Sequence, residues 1–314
     1  MGINQKKTTM VPAQPVTISL PPYYRIDDFF AFHLRDPQNI AEIVEKSTLR
    51  KGIIWQEHAA QIRLSINGQA TDNKQAILQL DVDNAETSPS LNELHTLAIH
   101  LLGLNQPVEQ FEEKYLTHPI LGKLIAPQRG VRVYQSATTF EALVWAIIGQ
   151  QISVLAAIAI RRRFIQAVGQ QHSSGIWCFP TVASVINVDD EILRQAGFSL
   201  GKIIALRGLC AAIQAGELDL DNAVTPENVH EVTEKLLAIK GIGPWTVSYG
   251  LLRGFNYLDG SLHGDVAVRR NLQILLTQDT QPSAKETQEW LTQFTPWRAL
   301  VAAHLWRSQS AAGY

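Results

Sequence analysis

The chain predicts an α+β fold: an N-terminal antiparallel sheet domain with helices, followed by a mostly α-helical region. Three observations carry that prediction. Residues 61–66 (Gln-Ile-Arg-Leu-Ser-Ile) and 76–82 (Ala-Ile-Leu-Gln-Leu-Asp-Val) alternate apolar and polar side chains with the period of a half-buried strand. From Leu91 onward nearly every segment has helical spacing and recognisable caps. Between the two regimes, Thr87-Ser-Pro-Ser90 interrupts both patterns.

Residues 1–14 are polar and uncommitted, which suits a flexible tail. The N-terminal domain is expected over 15–97, with helices at Phe29–Leu34 and Asn39–Glu45 beside the strands. The helical domain is expected over 98–314. Thr138-x-x-Glu141 and Ser283-x-x-Glu286 read as capping boxes, and Thr225-Pro226 and Thr295-Pro296 each place a cap residue before an N1 proline. Gly169, Gly197, Gly208, Gly216 and Gly254 suit helix ends, and Arg161-Arg-Arg163 suits a solvated helix face.

At 314 residues the chain exceeds one ordinary domain, and its 46% hydrophobic content is ample for real cores. Its two cysteines, Cys178 and Cys210, supply neither a disulfide framework nor a four-cysteine metal or iron–sulfur site. No run of about eighteen apolar residues and no apolar signal core is visible, so a reduced cytoplasmic location near the nucleoid is the expectation. A net charge of −2 is unusual for a nucleic-acid binder. Locally the balance reverses: Lys240, Arg253, Arg269 and Arg270 face only Asp259 and Asp265 within residues 239–273.

The chemistry concentrates there. Glu227–Ile239 makes an amphipathic helix with Val229, Val232, Leu236 and Ile239 on one face. Lys240-Gly-Ile-Gly-Pro244 ends it, and Pro244 suits the first position of a second helix. In this hairpin, spanning 228–254, Ile242 plugs into the core while the amides around Gly241 and Gly243 meet a phosphate at a helix N-terminus. An ordinary αα-turn would look the same but for Asp265, which lies 22 residues beyond Gly243. Asp265 suits a helix N-cap, and an ionised carboxylate there also suits glycosidic C–N cleavage, in which the sugar becomes cationic.

Trp245 and Tyr249, four apart, share a helix face, whereas Trp297 and Trp306 fall on nearly opposite faces of the last helix. Electron-rich rings stack on an extruded cationic base. Gln150 and Gln151, polar within an apolar stretch, mark a turn whose side chain could fill the gap that such a base leaves.

With these motifs the chain resembles the bacterial alkylpurine DNA glycosylases, the DNA-3-methyladenine glycosylase II family of the helix-hairpin-helix superfamily. The matching pieces include Phe140–Ser153, Leu206-Arg-Gly-Leu209, Ile239–Tyr249, Asp265 and His304-Leu-Trp306. The resemblance implies two helical subdomains enclosing a cleft, Asp265 as the catalytic acid, and Trp245, Tyr249, Trp306 and, with a one-residue gap, Phe32 as the base pocket. Trp297 becomes a core residue. It further implies DNA contacts at Gly241, Gly243, Lys240, Gln150 and Gln151, and a monovalent cation (Na or K) on the Ile239 and Ile242 carbonyls, with no other cofactor.

Two departures follow. Gln151 stands where the family has an apolar wedge, and Trp245 stands where strand-cutting relatives have a nucleophilic lysine. The expectation is a monofunctional base-excision enzyme acting on alkylated purines (3-methyladenine, 7-methylguanine) in duplex DNA, without a membrane or an obligate protein partner. The alternatives are a non-catalytic module for bent or damaged DNA, and a glycosylase for oxidised or mismatched bases.

Overall fold

The computed structural model describes residues 14–68 and 74–308, so the expected tail, but for its last residue, lies outside the described residues. In chain order the elements are β1 (Val16–Ser19), α1 (Ile26–His33), β2 (Glu42–Glu45), β3 (Thr48–Trp55), β4 (His58–Asn67), β5 (Gln75–Val82) and α2 (Leu91–Leu101). Then follow α3 (Val108–Tyr115), α4 (Leu121–Ile125), α5 (Thr139–Gly149), α6 (Val154–Val168), β6 (Gln170–Gln171) and β7 (Trp177–Cys178). The remainder is α7 (Val182–Ile186), α8 (Asp190–Ala196), α9 (Leu200–Gln214), α10 (Val229–Ala238), α11 (Pro244–Arg253), α12 (Val266–Leu276), α13 (Ala284–Thr292) and α14 (Arg298–Arg307).

The strands form one sheet in the order β1-β5-β4-β3-β7-β6, with β2 also paired to β3. Every pair is antiparallel except β3–β7, which are parallel at Gly52 and Cys178. The sheet therefore takes strands from both parts of the chain. A division between residues 97 and 98 is not a structural break, because α2 runs across it and the Trp177 amide donates to the Ile40 carbonyl at 2.9 Å. The helix expected over Asn39–Glu45 is instead the strand β2. There Glu42 sits opposite Lys51, and pairing with β3 overrides the local pattern. β3 itself lacked an alternating signature because Leu49, Lys51, Gly52 and Ile53 are all covered, as in a central strand.

The helices enclose two separate apolar clusters. One joins α5, α6, α8, α9 and α10; the other joins α3, α4, α12, α13 and α14. α11 is their common wall, giving Val247 and Leu251 to the first and Tyr249 and Leu252 to the second. Gly208 is inside α9 rather than at its end. A Cβ there would lie 2.8 Å from Ile239 Cγ2, so glycine allows α10 and its turn to seat closely on α9.

The sheet is fastened to the helices by buried charge. Lys51 Nζ bonds Glu42 (2.5 Å) and Glu141 (3.1 Å), while Arg161 bonds Glu141 (2.7 Å) and faces Glu42 (3.4 Å). The Lys51 and Arg161 charges outweigh burial and hold both carboxyls below the usual range. Glu141 is thus only half a capping box: Thr138 Oγ1 accepts its amide, but its carboxylate serves the network. Ser283 and Glu286 form the complete box. None of the three arginines 161–163 lies on an idle surface, since Arg162 forks onto Asp36 at 3.0 Å and Arg163 donates to the Ala196 carbonyl at 2.9 Å. The two expected proline starts also shift: α10 begins at Val229 and α14 at Arg298, after a cis Thr295–Pro296 bond.

Two outcomes follow. His304 is buried on α14, and burial pulls its imidazole pKa from 6.5 down to about 3. The unfolded chain then takes up a proton that the folded one refuses, so this contribution is complete above pH 6.5 and is lost towards about pH 3. Urea unfolding between those limits should show a stability loss that is shallower in His304→Gln; an unchanged pH slope would exclude His304 as its source. For Gly208→Ala we expect a loss of about 1–3 kcal/mol from overpacking, measured by thermal denaturation; an unchanged melting temperature would contradict the close seat of Ile239 on α9.

Candidate active site

α10 ends with Ile239 in an extended conformation, and its carbonyl accepts the Ile242 amide at 3.0 Å. Ile242 is buried beside Leu206 and Val247, as its place between two glycines led us to expect. Gly241 has φ +91°, where a side chain is strained, and a Cβ there would also meet Ala205 Cβ at 3.0 Å. Gly243 is different: its φ of −108° suits any residue, and its Cβ would face open space. Its value is a bare N-cap backbone ahead of Pro244. Lys240 is exposed on the same turn.

Gln150 does not project freely. Its Nε2 donates to the Gly241 carbonyl (2.9 Å) and Thr246 Oγ1 (2.8 Å), which ties the loop after α5 to the hairpin. Gln151, exposed with φ +56°, is the residue left at the tip of that loop.

α11 projects Trp245 from its first turn towards Asp265. Asp265 caps α12: Oδ1 accepts the amides of Ala267 (2.9 Å) and Val268 (3.0 Å). The same oxygen accepts Trp306 Nε1 at 3.1 Å, and Oδ2 accepts Trp245 Nε1 at 2.8 Å. All four partners are N–H donors, an environment made for a carboxylate acting as acceptor. Oδ1 thus accepts three bonds, whereas Oδ2 accepts one, from a side chain. Asn271 Nδ2, on the Leu305 carbonyl at 2.8 Å, holds α14 against α12 so that Trp306 reaches the cap.

Trp245, Tyr249 and Trp306 form a continuous aromatic set, with centroids 5.4 Å and 6.4 Å apart in sequence. The set is packed rather than open, since Tyr249 is 3% and Trp306 1% exposed. Trp245 is the half-buried member of the set. Cavities of about 480 and 400 Å³ lie elsewhere, around His100, Thr138 and Leu220 and around Phe140 and Phe179. Trp297 precedes α14 and packs against Phe111 at 5.9 Å, half-buried and apart from Asp265. Phe32 is buried with guanidinium groups over its ring, Arg35 at 4.2 Å and Arg253 at 4.9 Å.

Residues 144–296 match the family model described as HhH-GPD superfamily base excision DNA repair protein. The chain carries an HhH-GPD domain. Over 296 residues it is 24% identical to the DNA-3-methyladenine glycosylase of Bacillus subtilis (strain 168), covering 93% of this chain and 96% of that protein. The 3-methyladenine DNA-glycosylase from Archaeoglobus fulgidus superposes with a TM-score of 0.76 at 20% identity, covering 94% of this chain and 98% of that one. The Clostridium acetobutylicum 8-oxoguanine glycosylase/lyase bound to DNA gives 0.68 at 14% identity, covering 94% and 97%. At such identities the two structures establish the fold alone.

The HhH-GPD domain also holds a residue that sequence reasoning missed. Arg253 continues the Trp245–Tyr249 stripe by one more step of four, so its spacing was visible. It is buried, donates to the Tyr134 carbonyl at 2.8 Å and hydrogen-bonds Tyr249; burial, with Arg35 adding to it, lowers its pKa to about 10. Arg35 was missed as well, because it enters from the N-terminal part after α1 and reaches Trp145 at 5.0 Å. Among the described residues no group of three or more His, Cys, Asp or Glu side chains gathers to hold a metal, and no helix is long and apolar enough to cross a membrane.

Gly241→Ala should cost the HhH-GPD domain about 1–2 kcal/mol for its left-handed backbone, measured by chemical denaturation. Gly243→Ala should cost distinctly less. Equal losses at both sites would contradict the turn geometry.

Proposed function

We propose that this protein is a monofunctional DNA glycosylase that hydrolyses the N-glycosidic bond of alkylated purines, 3-methyladenine and 7-methylguanine, in duplex DNA. The observation that carries the proposal is the Asp265 carboxylate, held at a helix cap by two indole N–H groups beside a stacked aromatic set. The B. subtilis relative, whose name gives 3-methyladenine as substrate, supports the choice of base.

Amides around Gly241 and Gly243 hold a backbone phosphate at the N-terminus of α11, with exposed Lys240 beside it. Gln151 occupies the gap in the stack. The extruded base displaces Trp245 and lies among Trp245, Tyr249 and Trp306, where electron-rich faces favour a cationic purine. The C1′–N bond breaks with its electron pair going to the base, which leaves neutral and needs no general acid. Asp265 Oδ2 stabilises the oxocarbenium-like sugar and orients the water, which adds at C1′ and passes its proton to that carboxylate and then to solvent. The abasic site is the product, because Trp245 supplies an indole rather than an amine.

Carbonyls at the turn fit a monovalent cation. Ile239 O retains a lone pair beyond its bond to Ile242, and Ile242 O lies on the same turn. Such a cation would add positive charge facing the phosphate.

Asp265→Asn keeps an N-cap acceptor but removes the charge. Base release from methylated duplex should fall roughly 10²–10³-fold while DNA binding persists, and near-normal release would sink the mechanism. Wild-type protein should leave strands uncut until alkali is added; a borohydride-trapped adduct would contradict the monofunctional assignment.

A further inference from the structure

Lys202 lies on the first turn of α9 and is 8% exposed, yet among the described residues no acceptor pairs with its ammonium. Lysine is rarely so covered without an anionic partner. Burial lowers its pKa, with no carboxylate offsetting it.

Its surroundings point to the missing partner. α9 runs for 15 residues from an exposed Ser199 N-cap, whose hydroxyl accepts the Lys202 amide at 3.4 Å. That leaves the amides of Leu200 and Gly201 without helical partners. A Cβ on Gly201 would meet nothing within 4 Å, so its backbone is bare to solvent. Helical side chains lean towards the N-terminus, which brings the Lys202 stem alongside those amides. The turn also abuts the hairpin: a Cβ on Gly241 would lie 3.2 Å from the Gly201 carbonyl. Arg163, exposed, reaches the adjoining Gly197 from α6.

We propose that the first turn of α9, with Lys202, is a second phosphodiester site, gripping the DNA strand beside the phosphate held by the hairpin. The proposal rests on the DNA-binding reading above. Two helix N-termini side by side present amides and an unpaired lysine ammonium to one run of backbone. A chain of net charge −2 can hold DNA this way through a few well-placed contacts.

The test measures duplex affinity against NaCl concentration. Lys202→Met keeps the covered stem and should weaken binding several-fold, lowering the slope of log K against log salt by about one. Leu200→Glu places a carboxylate at an exposed position on the same turn and should weaken binding without lowering the melting temperature. Lys285→Met, on exposed α13, serves as the remote control and should match wild type. A wild-type slope and affinity in both α9 variants would overturn the second site. If Lys202→Met fails to fold, Leu200→Glu decides alone. Wild-type protein that binds no duplex at any salt would overturn the DNA reading itself.

Discussion

The Asp265 carboxylate is shared by three helices: it caps α12, and it accepts the indole N–H groups of Trp245 on α11 and Trp306 on α14. Each bond to an ionised group is stronger than a neutral one, so a few atoms fix the relative placement of elements distant in sequence. The arrangement also divides the carboxylate. One oxygen is committed to structure, and the other is held by a single side chain on the half-buried edge of the aromatic set. In the proposed mechanism cap and reactive group are one residue, which keeps the charge in place before any substrate arrives.

A second set of charges positions the rest. Glu42, Lys51, Glu141 and Arg161 come from β2, β3, α5 and α6 and neutralise one another where the sheet meets the helices. Such a cluster is weak evidence for stability, since desolvation offsets much of the attraction. Its effect is on placement: a shifted sheet would strand a buried charge. The same sheet carries α1, whose Asp28 reaches Arg307 at the end of α14 at 2.7 Å. Thus the N-terminal part braces the helix that bears Trp306.

Function is distributed between a closed centre and an open surface. The rings of Tyr249 and Trp306 are packed away, while the backbone at Gly201 and Gly241 and the loop at Gln151 are exposed and Gly243 is half-buried. In the proposed reading, binding along that surface supplies the interactions that offset unpacking Trp245 from Asp265. Exchange of one set of contacts for another is what base extrusion requires.

Much of this was legible in the sequence because it is local. The α10–α11 hairpin, the cap at Asp265, the strands β4 and β5 and the box at Ser283 each depend on spacing within about a dozen residues, where helical and strand periods leave their mark. The Trp245–Tyr249 face was equally readable, and Arg253 was one further step along it. The strands β2, β6 and β7 were not, because at four, two and two residues they are too short for a period to show, and β7 also depends on Gly52 of β3, far along the chain. Nor could periodicity say that Arg161 and Arg162 are covered, that Gln150 is tied to Gly241, or that Phe32 lies beneath two guanidinium groups. By itself the sequence determined which residues form the turn and the cap. Only the tertiary structure decided that one carboxylate takes both indoles, since hydrogen bonds between separate helices follow from packing, which one-dimensional spacing does not encode.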